Sequence, residues 1–129
     1  MAPRFINPPT ISKPPGYTHV VEIAGPARMI YIAGQLGFTV DGKLPEDFRG
    51  QTVQAFENLK NALAAVGASF KDVVKINYFV TDMSHTAELR KVRAGYLNMD
   101  APPAATLVQA GLGTGLLLEV EAVAMLPEN

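Results

Sequence analysis

The chain has 129 residues, of which 48% are apolar and 18% are charged. This composition excludes an intrinsically disordered chain and predicts a single domain over residues 1–129, with one hydrophobic core. The net charge is −1, and the sequence has no run of Lys or Arg long enough to bind successive phosphates of a nucleic acid, so nucleic acid is not favoured as a partner. Because the sequence has no cysteine and no apolar stretch of signal-peptide or membrane-span length, we expect a cytoplasmic protein that is not membrane-bound.

The first part of the chain is predicted to be extended. Residues 1–16 contain five prolines, which fix φ and remove backbone donors, so this segment is predicted to form an N-terminal arm. Residues 17–25 and 28–34 are rich in β-branched and aromatic side chains on either side of Gly25-Pro26, a turn signal. The pattern predicts two strands joined as a hairpin.

The middle of the chain shows one clear helix and one clear strand. The sequence Pro45-Glu46-Asp47 is a helix start signal, and apolar residues then recur at intervals of three or four until Gly67. Between residues 74 and 80, Val, Ile, Tyr and Val alternate with Lys, Asn and Phe, and this period of two predicts a strand packed on one face. The two patterns therefore predict a helix followed by a strand.

A second helix and two further strands complete the predicted order. Ser84 is the expected N-cap, Leu89 and Val92 begin the inner stripe that Tyr96 and Leu97 continue, and the exposed side carries Glu88, Arg90, Lys91 and Arg93. Residues 105–110 and 116–125 predict two more strands, giving the order β-β-α-β-α-β-β. Such an α+β fold has both helices on one face of the sheet. We expect self-association to cover the other face, which holds Tyr31, Tyr78 or Val74 and part of the last strand.

Several kinds of chemistry have no support in the sequence. The only histidines are His19 and His85, and their spacing is not that of metal ligands, so neither a metal site nor a cofactor is expected. The glycine-rich segment at residues 111–115 precedes a strand and lacks the P-loop Lys, so it is interpreted as a connection between strands. None of the serines lies in a GxSxG motif.

Two features leave a structural and a functional interpretation open. Glu119 and Glu121 share one face of an otherwise apolar strand, where they could pair with Lys75 or Arg28, or where one of them could hold a water or a substrate amine. Tyr17 follows the stiff sequence Pro-Pro-Gly, so it could line the mouth of a pocket or be an ordinary strand aromatic.

Seven short blocks are spread in order over nearly the whole chain: PGY at 15–17, YIAGQL at 31–36, QAFENL at 54–59, DVVK at 72–75, FVTDM at 79–83, PAAT at 103–106 and LEVEAVA at 118–124. Together they resemble successive signatures of the YjgF/RidA family, also called the endoribonuclease L-PSP family. The resemblance implies a chorismate-mutase-like fold of the bacterial type. It also implies a homotrimer with the sheets at its centre, the helices outside and three ligand sites between subunits.

The resemblance also implies a set of site residues and one departure from the family pattern. In deaminases of the family, an Arg in the Pro-Ala-Arg-Ser block grips the substrate carboxylate, and a strand Glu places the water that attacks the imine carbon. Here Ala105 replaces that Arg, which indicates a divergent subgroup without the clamp. The implied catalytic residue is Glu119, and the predicted substrate-binding residues are Tyr17, Ala33, Gly34, Arg90, Ala105, Thr106 and Leu107.

Arg90 enters this set as a separate hypothesis. It stands where the deaminases carry Asn, and we hypothesise that it replaces the missing Arg as an anion-binding group. The alternative is an ordinary solvated Arg on the exposed side of a helix.

The resulting functional prediction is a trimer that binds a keto acid, an imine or a related metabolite between its subunits. Hydrolysis of enamines or imines is the reaction expected if the chemistry survives the loss of the Arg. A non-catalytic or chaperone-like trimer is one alternative, and an endoribonuclease or translation inhibitor is another, which the near-neutral charge disfavours. We expect Tyr17 of one subunit and Glu119 with Thr106 of another to line the same site.

Overall fold

A computed structural model describes residues 2–128. In this part of the chain, six strands and two α-helices follow the order β1-β2-β3-α1-β4-α2-β5-β6. The elements are β1 (Arg4–Ile6), β2 (Val20–Glu22), β3 (Ala27–Gln35), α1 (Phe48–Ala64), β4 (Val73–Val80), α2 (Thr86–Ala94), β5 (Ala104–Gln109) and β6 (Leu118–Pro127).

The main sheet has four strands in the spatial order β3-β6-β4-β5. β6 is antiparallel to both of its neighbours, whereas β4 and β5 are parallel and are connected through α2. β3 and β5 are therefore the two edges of this sheet. β1 and β2 form a separate antiparallel pair.

The core lies between the helices and one face of the sheet. Alternate residues of β4 and β6 are buried there, including Ile76, Val80 and Val120, and they pack in one cluster with Phe56 and Leu59 of α1. This alternation is what a strand with one covered face requires, because successive side chains point to opposite sides. The structure confirms the predicted α+β arrangement and the predicted strand at residues 74–80.

The first predicted helix is also confirmed, together with the signal that starts it. Asp47 is the N-cap, and its carboxylate accepts a hydrogen bond from the Gly50 backbone N–H at 3.0 Å. The chain leaves the helix after Ala64, and Gly67 adopts φ +78°, a conformation that favours glycine.

The predicted hairpin over residues 17–34 is wrong. β2 pairs with β1 of the N-terminal arm, and β3 pairs with β6 along most of its length. The Gly25-Pro26 signal identifies a bend, and Gly25 has φ +99°, but a bend does not decide which strand each segment then joins. The long, largely apolar β6 is a better partner for the nine residues of β3 than the short β2.

The start of the second helix also differs from the prediction. Asp82, not Ser84, supplies the capping side chain: its carboxylate accepts from the Ser84 backbone N–H at 2.8 Å and begins a turn of 3-10 helix. α2 then begins at Thr86 with His85 as its N-cap residue, which makes no capping hydrogen bond. The sequence missed this because Asp82 and Ser84 are both good capping residues two positions apart.

The face of the sheet that no helix covers carries large apolar side chains. Tyr31 is 74% exposed and Met29 is 54% exposed, both on β3. Tyr31 was predicted for this face, but Tyr78 was a wrong alternative, because it is only 2% exposed and packs among the core residues under the helices. The odd-numbered residues of β6, which include Glu119 and Glu121, lie on the open face.

Candidate functional site

A cavity of about 140 Å³ lies at the β5 edge of the sheet, between β5, α2 and the turn at residues 15–17. Five residues predicted for substrate binding line it: Tyr17, Arg90, Ala105, Thr106 and Leu107. The structure therefore brings together, within one chain, residues that are up to 90 positions apart in the sequence. Tyr17 and Thr106 share this cavity, which differs from the expectation that they come from two subunits.

The turn that carries Tyr17 is held against the start of β5. Gly16 has φ +115°, so the turn needs a residue without a side chain at this position. The buried Thr18, 2% exposed, donates its hydroxyl to the Pro102 carbonyl oxygen and its backbone N–H to the Pro103 carbonyl oxygen at 3.3 Å. These two hydrogen bonds fix Tyr17 beside the strand that supplies residues 105–107.

Replacing Thr18 with valine tests how much this anchor contributes. The change keeps the shape of the side chain but leaves the buried Pro102 carbonyl oxygen without its hydroxyl donor. We expect the free energy of unfolding to fall by about 1–2 kcal/mol. Urea unfolding measures the loss, and Thr10→Val on the exposed arm is the matched control, expected within about 0.5 kcal/mol of the parent. Equal stability of the two variants would contradict the anchoring role.

Two further residues of the cavity, Tyr78 and Arg93, were not predicted as site residues. The Tyr78 hydroxyl and the Arg93 Nε are buried and have no hydrogen-bond partner within residues 2–128. Burial raises the pKa of Tyr78 to about 12, although the nearby Arg93 guanidinium opposes this increase. The phenol is therefore protonated at neutral pH and can donate a hydrogen bond.

The placement of Arg93 on the exposed side of the second helix was wrong. Its side chain is partly buried and lines the cavity, whereas Arg90 on the same helix is exposed at the cavity rim. One signal could have shown this: Arg93 directly follows Val92 and lies four residues after Leu89, so it borders the apolar stripe. Tyr78 likewise lies on the inward-facing set of β4.

The remaining predicted residues, Ala33, Gly34 and Glu119, do not line this cavity. They lie together on β3 and β6, towards the opposite edge of the sheet. The Glu119 side chain lies directly over Gly34: a Cβ at position 34 would lie only 2.9 Å from Glu119 Cγ and nearer still to the carboxylate. One chain thus contains two separate groups of predicted site residues.

The two glutamates of β6 differ in their surroundings. Asn77 donates a hydrogen bond from its Nδ2 to the Glu121 carboxylate at 3.3 Å. The cross-sheet ion pairs considered for these glutamates do not form, because the Lys75 ammonium donates to the Thr106 hydroxyl and the Arg28 guanidinium donates to the Pro127 carbonyl oxygen. Within residues 2–128, no ion pair involves Glu119 or Glu121.

Comparison with known proteins identifies the family. The sequence profile described as endoribonuclease L-PSP matches residues 10–126. This chain belongs to the YjgF/RidA (endoribonuclease L-PSP) family. The predicted resemblance is therefore confirmed, and so is the chorismate-mutase-like fold that it implied.

Three relatives illustrate how closely this YjgF/RidA protein matches. The crystal structure of YyfB from Yersinia pestis, a protein of the conserved Rid family, has a TM-score of 0.77 at 33% identity, covering 98% of this chain and 100% of YyfB. The 2-iminobutanoate/2-iminopropanoate deaminase of Dermatophagoides farinae is 28% identical over 95% of this chain and 96% of the deaminase. Escherichia coli TdcF, solved with bound serine, has a TM-score of 0.71 at 28% identity, covering 77% of this chain and 81% of TdcF.

Neither a metal-binding cluster nor a membrane-spanning helix is present among the described residues. Among residues 2–128, no three His, Asp or Glu side chains are grouped so that they could bind a metal ion. In the same range, no helix has the length and apolar character needed to cross a bilayer.

Proposed function

We propose that this protein binds small metabolites at clefts between copies of the chain and hydrolyses the C=N bond of imine-type metabolites, including imines that form when enamines tautomerise. The observation that carries the proposal is the cavity at the β5 edge, which gathers five residues predicted from the family resemblance. Its volume of about 140 Å³ is far below the roughly 300–1,000 Å³ of pockets for drug-sized ligands. A metabolite of few heavy atoms fits this size. The names of two relatives, the imine deaminase and the serine-bound TdcF, also point to small metabolites.

Assembly of several copies would complete the site. The sheet has an unpaired strand at each edge, and its open face exposes Met29 and Tyr31, so both features favour association. One group of predicted site residues lies at the β5 edge, and the other lies on the β3 edge strand and on the neighbouring β6. If β3 of one copy meets β5 of the next, Gly34 and Glu119 of the first come to lie beside the cavity of the second. Repeating this contact three times closes a ring.

The chemistry proposed for the completed cleft is hydrolysis assisted by Glu119. The carboxylate accepts a proton from a water molecule, whose oxygen attacks the electrophilic carbon of the protonated imine. The protonated Glu119 then returns its proton to the nitrogen of the carbinolamine, which leaves as ammonia while the hydroxyl loses its proton and becomes a carbonyl group. The overall reaction consumes one imine and one water and releases one ketone and one ammonia, with no oxidant or reductant.

The first experiment compares the parent protein with buffer. The imine of pyruvate is generated in solution, and release of ammonia is followed with and without the protein, while native mass spectrometry measures the size of the assembly. We expect release above the buffer rate and a mass of three chains. Hydrolysis at the buffer rate even at high protein concentration would favour the non-catalytic binding alternative. A folded single chain would remove the proposed shared cleft.

Replacing Gly34 with alanine tests whether the position of Glu119 matters. The added Cβ would overlap the Glu119 side chain, which must rotate away, so we expect hydrolysis to slow by about tenfold or more. The displaced group is the end of a flexible side chain, so the melting temperature should change little. Gly111→Ala is the matched control, because a Cβ there meets no atom within 4 Å. Full activity of Gly34→Ala would contradict this role for Glu119.

A further inference from the structure

The cavity at the β5 edge contains hydrogen-bond donors that the protein itself does not use. Among residues 2–128, the buried side-chain N and O atoms without a hydrogen-bond partner are the Tyr78 hydroxyl and the Arg93 Nε, and both residues line this one cavity. Buried polar groups without a partner are costly and rare, so two of them in one small cavity need a physical explanation. The larger grooves, of about 530 and 600 Å³, contain neither residue.

Both orphaned groups can donate a hydrogen bond. A guanidinium has only N–H donors. A phenol beside it can accept from those donors through its oxygen, but its own O–H then still needs an acceptor. The two groups therefore cannot satisfy each other completely. A group that offers several acceptor oxygens and a negative charge complements both of them at once.

The surrounding chain holds Arg93 in this position. A Cβ at Gly16 would lie 2.5 Å from Arg93 Nη2, so the turn at residues 15–17 passes directly over the end of the guanidinium, while the Arg93 Nε is buried. The small side chain of Ala105 leaves space on the β5 side of the cavity. Arg93 is therefore confined at the wall of the cavity, whereas Arg90 is exposed at its rim.

We propose that Arg93 and the Tyr78 hydroxyl bind the carboxylate of the small ligand, so that an arginine of α2 supplies the positive charge that β5 lacks at Ala105. This inference deepens the proposed function and rests on it for the identity of the ligand. At the buried wall of the cavity, one guanidinium and one neutral phenol match a single negative charge, while Arg90 is exposed at the rim. The apolar Leu89 and Leu107 that also line the cavity suit a short aliphatic chain, so the ligand class that these residues define is a short-chain aliphatic monocarboxylate.

The test measures the preference for a charged ligand over a neutral one of the same shape. Parent and variants are titrated calorimetrically with 2-oxobutanoate and with 2-oxobutanamide. We expect the parent to prefer the carboxylate by about tenfold or more, and Arg93→Gln to weaken 2-oxobutanoate binding roughly 30-fold and to remove the preference. Lys91→Gln, on the exposed surface of the same helix, is the control and should bind as the parent does.

Tyr78→Phe separates ligand binding from a structural role. If the hydroxyl binds the ligand, its removal should leave the melting temperature of the ligand-free protein unchanged or higher. The reason is that the change removes a buried polar group that has no hydrogen-bond partner. The same change should weaken 2-oxobutanoate binding by about fivefold to tenfold. A lower melting temperature together with parental binding would show a structural hydroxyl and would overturn its part in the site.

Other outcomes overturn the proposal or separate it from the proposed function. A parent without preference for 2-oxobutanoate, or a preference that persists in Arg93→Gln, would overturn it. Loss of the preference in Arg90→Gln but not in Arg93→Gln would transfer the role to Arg90. If Glu119→Gln hydrolyses imines as the parent does while Arg93→Gln loses the preference, the anion site stands and only the proposed hydrolytic role of Glu119 fails.

Discussion

Glu119→Gln is expected to slow imine hydrolysis by about 100-fold or more while the protein still binds 2-oxobutanoate. The change keeps the size of the side chain but replaces the carboxylate that accepts the proton of water with an amide that cannot. Glu119 has no ion-pair partner among residues 2–128, so the charge is not needed to neutralise a neighbour. Single-turnover and steady-state release of ammonia from the imine of pyruvate would measure the effect.

Glu121→Gln provides a matched control for this prediction. Glu121 lies two residues further along β6, on the same face of the sheet, and accepts a hydrogen bond from Asn77, which an amide oxygen can also accept. Its replacement should leave hydrolysis within about threefold of the parent. Equal losses in both variants would show a general effect of charge on the open face, and no loss in Glu119→Gln would exclude Glu119 as the group that activates water.

The sequence predicted those parts of the fold that depend on neighbours in the chain. The alternation in β4 and the helix of residues 48–64 follow from the covered faces of those elements, and Asp47 is a local start signal. The pairing of β3 with β6 could not be predicted from the Gly25-Pro26 turn, because it depends on a strand about 90 residues further along the chain. Long-range pairing is decided by the fit of whole strands, which a local signal does not contain.

The candidate site, like the fold, was predicted where the signals are local and missed where they depend on distant parts of the chain. The residues predicted from the family resemblance include Tyr17 and residues 105–107, which line one cavity in the structure. Motifs could not show that Ala33, Gly34 and Glu119 lie towards the other edge of the sheet, since this follows from the strand order β3-β6-β4-β5. Arg93 escaped prediction because charged residues at the border of a helix stripe usually reach solvent. The buried Nε and the close approach of the turn at Gly16 show that this one packs against the protein.

The second large effect is expected at a buried side chain that joins α1 to the loop before β6. Gln51 is 0% exposed, and its Nε2 donates to the carbonyl oxygens of Pro45 and Gly115 at 2.8 and 2.9 Å. Its Oε1 accepts from the Leu117 backbone N–H at 2.9 Å. All three partners are backbone groups that have few other places to find a hydrogen bond.

Gln51→Leu should therefore lower the free energy of unfolding by about 3–5 kcal/mol, a large part of the roughly 5–15 kcal/mol that stabilises a typical domain. Leucine fills a similar volume, so the loss arises from the three unsatisfied backbone groups and not from a cavity. Gln54→Leu is the control on the same helix and should cost less than about 1 kcal/mol, because within residues 2–128 the Gln54 side chain makes a hydrogen bond only to the Asn58 side chain. Urea unfolding of both variants decides the matter. A loss at Gln51 no larger than that at Gln54 would mean that water replaces the missing amide, and that the loop before β6 is held by its backbone alone.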